Sequence, residues 1–125
     1  RRREDGEPGS TSARGGHQLG LDSGATDHIT GDLVKLTVRD RYTGNEQIHT
    51  ASGSGMAIEH VGHSAIRTPD RDLYLNNILH VPEASKSLIS ASRLALDNDT
   101  FCEIHPHSFL VKERGTRKVF LRGRG

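Results

Sequence analysis

Short stretches of alternating apolar and polar residues run through the chain from residue 17 to residue 123. Gln18 to Asp22 predicts a short strand ending at an Asp-Ser-Gly turn. In HITGDLVKLTVRDRYTGNEQIHT the apolar positions are Leu33, Leu36 and Val38, and Tyr42-Thr43-Gly44-Asn45 marks a turn. Gln47 to Thr50 predicts a strand leading into ASGSG, residues 51–55, a glycine-rich hairpin. In MAIEHVGHSAIRT, Met56, Ile58, Val61 and Ile66 fall largely on one side, with a bulge expected at Gly62. LYLNNILHVP places Leu73, Leu75, Ile78, Leu79 and Val81 on a buried strand that Pro82 stops.

The period changes in EASKSLISASRLALDN. Leu88, Ile89, Ser92 and Leu96 predict one face of a short helix, capped by Ser85 or Ser87 and ended by Asp97-Asn98. TFCEIH, SFLVKE and KVFLRG predict a closing β-meander. Many short strands, glycine turns and one short helix predict an all-β domain, a small closed or partly open β-barrel. Residues 1–16, RRREDGEPGSTSARGG, carry no apolar period and read as a disordered linker, leaving 17–123 as the domain. A chain that starts in a linker and lacks an initiator Met reads as a piece of a longer one.

Composition narrows the picture. Hydrophobic residues make up 32% of the 125, and there is no Trp, so the core is small and aliphatic and a second copy would add useful buried surface. A net charge of +1 gives no global reason to expect nucleic acid or a membrane surface, and the basic ends read as solvated termini. The single Cys102 excludes an internal disulfide framework and favours a reducing, intracellular compartment. No apolar run approaches the length of about 18 residues that a spanning helix needs. Nothing at the N-terminus has the form of a signal peptide.

The candidate chemistry lies in LDSGATDHIT. Peptide hydrolysis by carboxylates needs two of them, about 3 Å apart and sharing one proton, so that one activates water while the other donates to the scissile carbonyl. Small neighbours let two loops approach that closely. Asp22-Ser23-Gly24-Ala25-Thr26 fits: Gly24 permits close approach and Ser23 or Thr26 can donate to the carboxylate. The chain has one such triplet, so a dyad requires a homodimer with Asp22 of each copy at a two-fold axis. Taken alone, Asp-Ser-Gly at a strand end is a common turn, and the local reading favours the turn.

The order of motifs alters that balance. LDSGATDHIT, QIHTASGSGMAIEHVGHSAI, LYLNNILHVPEASKSLISASRLALDN and the closing FCEIHPHSFLVKERGTRKVFLRGRG together resemble the protease region of copia-type retrotransposon Gag-Pol polyproteins over residues 18–123. Leu75-Asn76-Asn77-Ile78-Leu79-His80-Val81-Pro82 and Lys86-Ser87-Leu88-Ile89-Ser90 carry the resemblance most closely. It implies a retropepsin-like aspartic endopeptidase that cleaves its own polyprotein as a homodimer, in the cytoplasm within a virus-like particle, with no cofactor. By resemblance Asp22 is the catalytic carboxylate, Ser23 and Gly24 complete its loop, and Ala51, Ser52, Gly53, Ser54 and Gly55 form the flap over the substrate. Two departures stand out: HQLGLD has no aromatic before the Asp, and ASGSG replaces the ADGS usual in the family. They suit a second reading, an inactive β-barrel fragment acting at most as an interaction module.

The eight histidines raise a metal site. His60 and His63 lie at odd spacing on a predicted strand and point to opposite faces. His105 and His107 near Cys102 lack a clear fourth ligand. No metal site is therefore expected. His28 reads as a local hydrogen-bonding residue, and Cys102 as a small core residue on a strand.

Overall fold

A computed structural model describes residues 19–49 and 53–124. Residues 1–16, read as a linker, lie outside the described residues, as do Ala51 and Ser52. The strands are β1 (Leu19–Asp22), β2 (Ile29–Thr30), β3 (Val38–Arg41), β4 (Gln47–His49), β5 (Gly55–Ala57), β6 (His60–Arg67), β7 (Asp72–His80) and β8 (Ser87–Ser90). Helix α1 (Ala91–Asn98) follows, then β9 (Thr100–Ile104), β10 (Ser108–Glu113) and β11 (Val119–Arg124). A six-stranded sheet runs β1-β8-β2-β7-β6-β3, the last three strands form a meander in the order β11-β10-β9, and β4 pairs only with β5. Among the described residues the fold is mostly β with one α-helix and a single 3-10 turn at Leu33–Lys35, as the patterning predicts for the β elements and the short helix, and its sheets stay open, the form of a partly open barrel.

β7 shows how sequence sets the core. Leu73 and Leu75 are buried at odd positions, then Ile78 and His80 at even ones. The phase slips by one residue because the β6–β7 register shifts between Gly62 and Ser64; the extra residue is on β7, across from the Gly62 region of β6 where a bulge was expected. Asn77 takes the left-handed φ of 57° that the bulge requires, a conformation Asn tolerates better than most residues. At Gly62 a Cβ would collide with the carbonyl of Val38, so β3 can lie against β6 only over a glycine.

One buried cluster joins the sheet, α1 and the meander: Leu36 and Ile66 with Leu73, Ile78, Ile89 and Leu94, and Val111 and Phe120 from the far side. Cys102 packs against it from β9, half-buried, as a small core residue should. Burial pushes its thiol above the ordinary value.

The helix begins later than the apolar spacing implies. Ser87–Ser90 is a strand, paired in parallel with β1, so Leu88 and Ile89 alternate across a sheet and do not share a helix face. Ser90 is at once the last strand residue and the helix N-cap, its side chain accepting from the Arg93 N–H. The buried helix face is Ala91, Leu94 and Asn98, while Leu96 is 82% exposed. The helix ends where Asp97-Asn98 indicates, with Asp99 in a left-handed cap at φ 55°.

Candidate active site

Asp22 ends β1, and the chain then loops through residues 23–28 into β2. The two arms of this loop are not neighbours in the sheet. β8 is threaded between them, parallel to β1 (Asp22 opposite Ser90) and antiparallel to β2 (Ile29 opposite Leu88). The loop must therefore cross the end of β8, and that crossing holds it.

Ser90, fully buried, is the centre of the crossing. Its hydroxyl donates to the Ala25 carbonyl at 2.7 Å, and its backbone N–H donates to His28 Nδ1 at 2.9 Å. At the other end of β8, the buried Ser87 hydroxyl meets that of Thr30 at 2.7 Å. The His28 carbonyl accepts from the Leu79 N–H at 2.9 Å, fixing the far arm of the loop to β7. The sequence reading assigns Ser90 no role and takes Ser87 as a helix cap. No alternation marks SLIS: two adjacent apolar residues between serines fit a short strand as well as a helix turn, so the sequence carried little signal for either.

Within this frame Asp22 is half-buried and Ser23, Gly24 and Thr26 are exposed. The Gly24 N–H donates to Asp22 Oδ1 at 2.8 Å, and the Ala25 N–H reaches the Asp22 carbonyl at 3.4 Å. The donor to the carboxylate is thus backbone; the Thr26 hydroxyl turns to Asp27 Oδ2 at 3.2 Å. Gly24 has no left-handed backbone, and a Cβ there would lie 3.5 Å from Asp22 Oδ1, an ordinary contact. Within one protomer, then, the backbone accepts alanine at position 24, and a need for glycine would come from outside the protomer.

His28 forms local hydrogen bonds, as read from sequence, but from a buried position: it is 1% exposed. Its Nδ1 is an acceptor, so the proton sits on Nε2, which has no hydrogen-bond partner among the described residues. Burial holds this imidazole below its ordinary pKa and the charge of Arg93 pushes the same way, against Asp97 and Asp27.

Of the proposed flap, Gly53, Ser54 and Gly55 are described and exposed. Gly53 has a left-handed φ of 93°, and a Cβ on Gly55 would collide with the Gln47 side chain. β4 and β5 pair Gln47 with Ala57 and His49 with Gly55, so residues 50–54 connect the two strands of a hairpin.

Of the remaining histidines, His60 and His80 lie together, whereas His63 and His105 have separate partners. His63 is exposed, and its Nδ1 accepts from the Asn77 N–H at 3.2 Å. His105 bonds through Nε2 to Glu103 at 2.6 Å, and Glu103 also pairs with Lys112 at 2.7 Å. These hydrogen bonds to Lys112 and His105 draw the Glu103 carboxyl below its usual range.

The fold is a partly open β-barrel of the mostly β class, with an Asp-Ser-Gly loop at the end of its first strand. Residues 20–100 match the family described as "Pol polyprotein, beta-barrel domain", and the chain belongs to it. It is similar to the retrovirus-related Pol polyprotein from transposon RE1 of Arabidopsis thaliana, 43% identical over 104 residues. It is 42% identical over the same length to the corresponding polyprotein from transposon RE2 of that plant. Each match covers 83% of this chain and 7% of the relative, so the chain spans a small part of those polyproteins. No solved structure matches. No helix among the described residues is long and apolar enough to cross a membrane.

Proposed function

We propose that this domain is an aspartic endopeptidase that processes its own Gag-Pol polyprotein as a homodimer in the cytoplasm, with Asp22 of each copy forming the catalytic pair. The observation that carries the reading is the Asp22 carboxylate itself. It is half-buried, oriented by the Gly24 N–H, and set on a loop whose base is pinned by buried Ser90. Its flanking Ser23 and Gly24 are exposed, which leaves the outer face of the loop open to a second copy.

In the dimer two such carboxylates share one proton, because like charges about 3 Å apart do not both ionise. The ionised member takes a proton from water, and the protonated member donates to the carbonyl oxygen as the water oxygen attacks. Ser23 and Gly24 belong to the loop that holds the pair. The β4–β5 hairpin, to which the segment Ala51 to Gly55 belongs in the sequence, acts as the flap that shields the substrate from solvent.

The test is cleavage of a polypeptide containing the junctions of the chain's own polyprotein, at mildly acidic pH, with and without pepstatin. The parent chain cleaves and is inhibited. Asp22→Asn, which keeps the shape of the side chain, stops cleavage with an unchanged circular dichroism spectrum. Equal cleavage by the Asn chain rules the proposal out.

A further inference from the structure

Glu59, His60 and His80 form a second constellation, unrelated to the carboxylate loop. His60 opens β6 and His80 closes β7, and the two are direct cross-strand partners. Their rings lie with centroids 5.1 Å apart, and the Nδ1 atoms face each other at 2.9 Å. The Glu59 N–H donates to the His80 carbonyl at 2.9 Å, which holds the backbone of Glu59 beside the pair. One ligand atom from each of the three residues lies within 4.8 Å of the others. Among the described residues no other group of three His, Cys, Asp or Glu side chains meets that condition.

We propose that Glu59, His60 and His80 bind a divalent zinc-type cation, with water in the remaining position. The two facing nitrogens hold a single proton between them, since one must donate and the other accept. A cation replacing that proton accepts from both. Tetrahedral zinc with Zn–N bonds of about 2.0–2.1 Å sets its two nitrogens roughly 3.3 Å apart, so the pair opens by about 0.4 Å from its present 2.9 Å. His80 is buried, which restricts its imidazole to the position facing His60. Glu59 is exposed, so its carboxylate is free to swing onto the ion. Two imidazoles and one carboxylate select zinc and its late first-row neighbours over magnesium. The charges facing His80 are Glu59 and Arg39, and the Arg39 guanidinium is directed to the Leu33 carbonyl at 3.4 Å.

The site lies at the opposite end of the sheet from Asp22. His80 is beside Thr30, which touches Ser87, whereas Asp22 is beside Ser90, at the other end of β8. It does not depend on the peptidase reading. A bound ion would tie β6, β7 and the segment before β6 together where the sheet has no other covalent or ionic clamp among the described residues.

The experiment is zinc titration of the full chain by calorimetry, with thermal unfolding in zinc and in magnesium. Zinc should bind and raise the unfolding midpoint by roughly 5–10 °C at saturation, and magnesium should leave it unchanged. His60→Gln should weaken binding at least tenfold and remove the thermal shift. The exposed Glu59→Gln should weaken binding too, and it decides the matter if the His60 variant fails to fold. Zinc binding and a thermal shift unaltered in Glu59→Gln, or no shift in the parent chain, overturns the site.

Discussion

At the scale of single residues, the proposed function turns on Asp22, and the placement of its loop turns on Ser90 and His28. Ser90 donates to Ala25, accepts from Arg93 as the N-cap and offers its backbone N–H to His28. Ser90→Ala loses the cap and leaves the Ala25 carbonyl without its buried donor. A destabilisation of about 1–3 kcal/mol follows, read by urea denaturation. A value within about 0.5 kcal/mol of the parent would show that Ser90 is not the anchor.

His28 carries a pH dependence whose sign is fixed. Its folded pKa lies below the ordinary 6.5, by burial first and then by Arg93. As pH falls through 6.5 the unfolded chain takes up the proton before the folded one, so stability declines from there until the folded value is passed. Protonation of Nδ1 also removes the acceptor of the Ser90 N–H. His80, depressed by burial and by His60, adds a decline of the same sign. His28→Asn keeps an acceptor for Ser90 without a titrating group. The fall in unfolding midpoint between about pH 7 and pH 5 should therefore shrink while the His80 share persists. An unchanged slope contradicts this account of His28.

At the scale of elements, the strands were legible and the strand-to-helix switch was not. The bulge near Gly62, the three-strand meander and the end of α1 were all visible, because each rests on local alternation or a turn residue. SLISASRLALDN misleads because Leu88, Ile89, Ser92 and Leu96 happen to satisfy helical spacing. What decides is the pairing of residues 87–90 with β1, more than sixty residues earlier in the chain. Asn98 reads as a helix stop, yet its side chain bonds Tyr74 N–H at 2.6 Å and Tyr74 carbonyl at 2.8 Å, docking the helix on β7. The pairing of His60 with His80 was equally hidden, since twenty residues separate them and the nearer His63 drew the comparison.

β1 carries a glycine within a strand. A Cβ at Gly20 would meet only Leu88 at 3.7 Å. Glycine within a strand costs about 0.5–1 kcal/mol. Gly20→Val should raise stability by about that amount. Denaturant unfolding checks it, and a loss of stability would mean that the space beside Leu88 is not available to a larger side chain.

At the scale of the whole molecule, the chain belongs to the Pol β-barrel domain family and spans 7% of its relatives' length. It carries a single Asp-Ser-Gly loop. On the proposed reading the carboxylate pair forms between two copies, and one protomer leaves Ser23 and Gly24 of that loop exposed. Gly24 is informative here, since the protomer has room for a Cβ beside Asp22. Gly24→Ala should fold with the parent's stability to within about 0.5 kcal/mol while losing cleavage, because the methyl intrudes where the second loop approaches. Parent-like cleavage by that variant would remove the steric argument for the dimer.

The most direct measurement is a mixing titration. The parent chain is held at fixed concentration, Asp22→Asn chain is added in rising amounts, and cleavage of the polyprotein peptide is followed. Subunits that exchange to form a shared Asp22 pair give a rate per parent chain that falls in proportion to the parent fraction. A rate that stays flat as the Asn chain accumulates, or no cleavage by the parent chain at any concentration, contradicts a catalytic pair built from two copies.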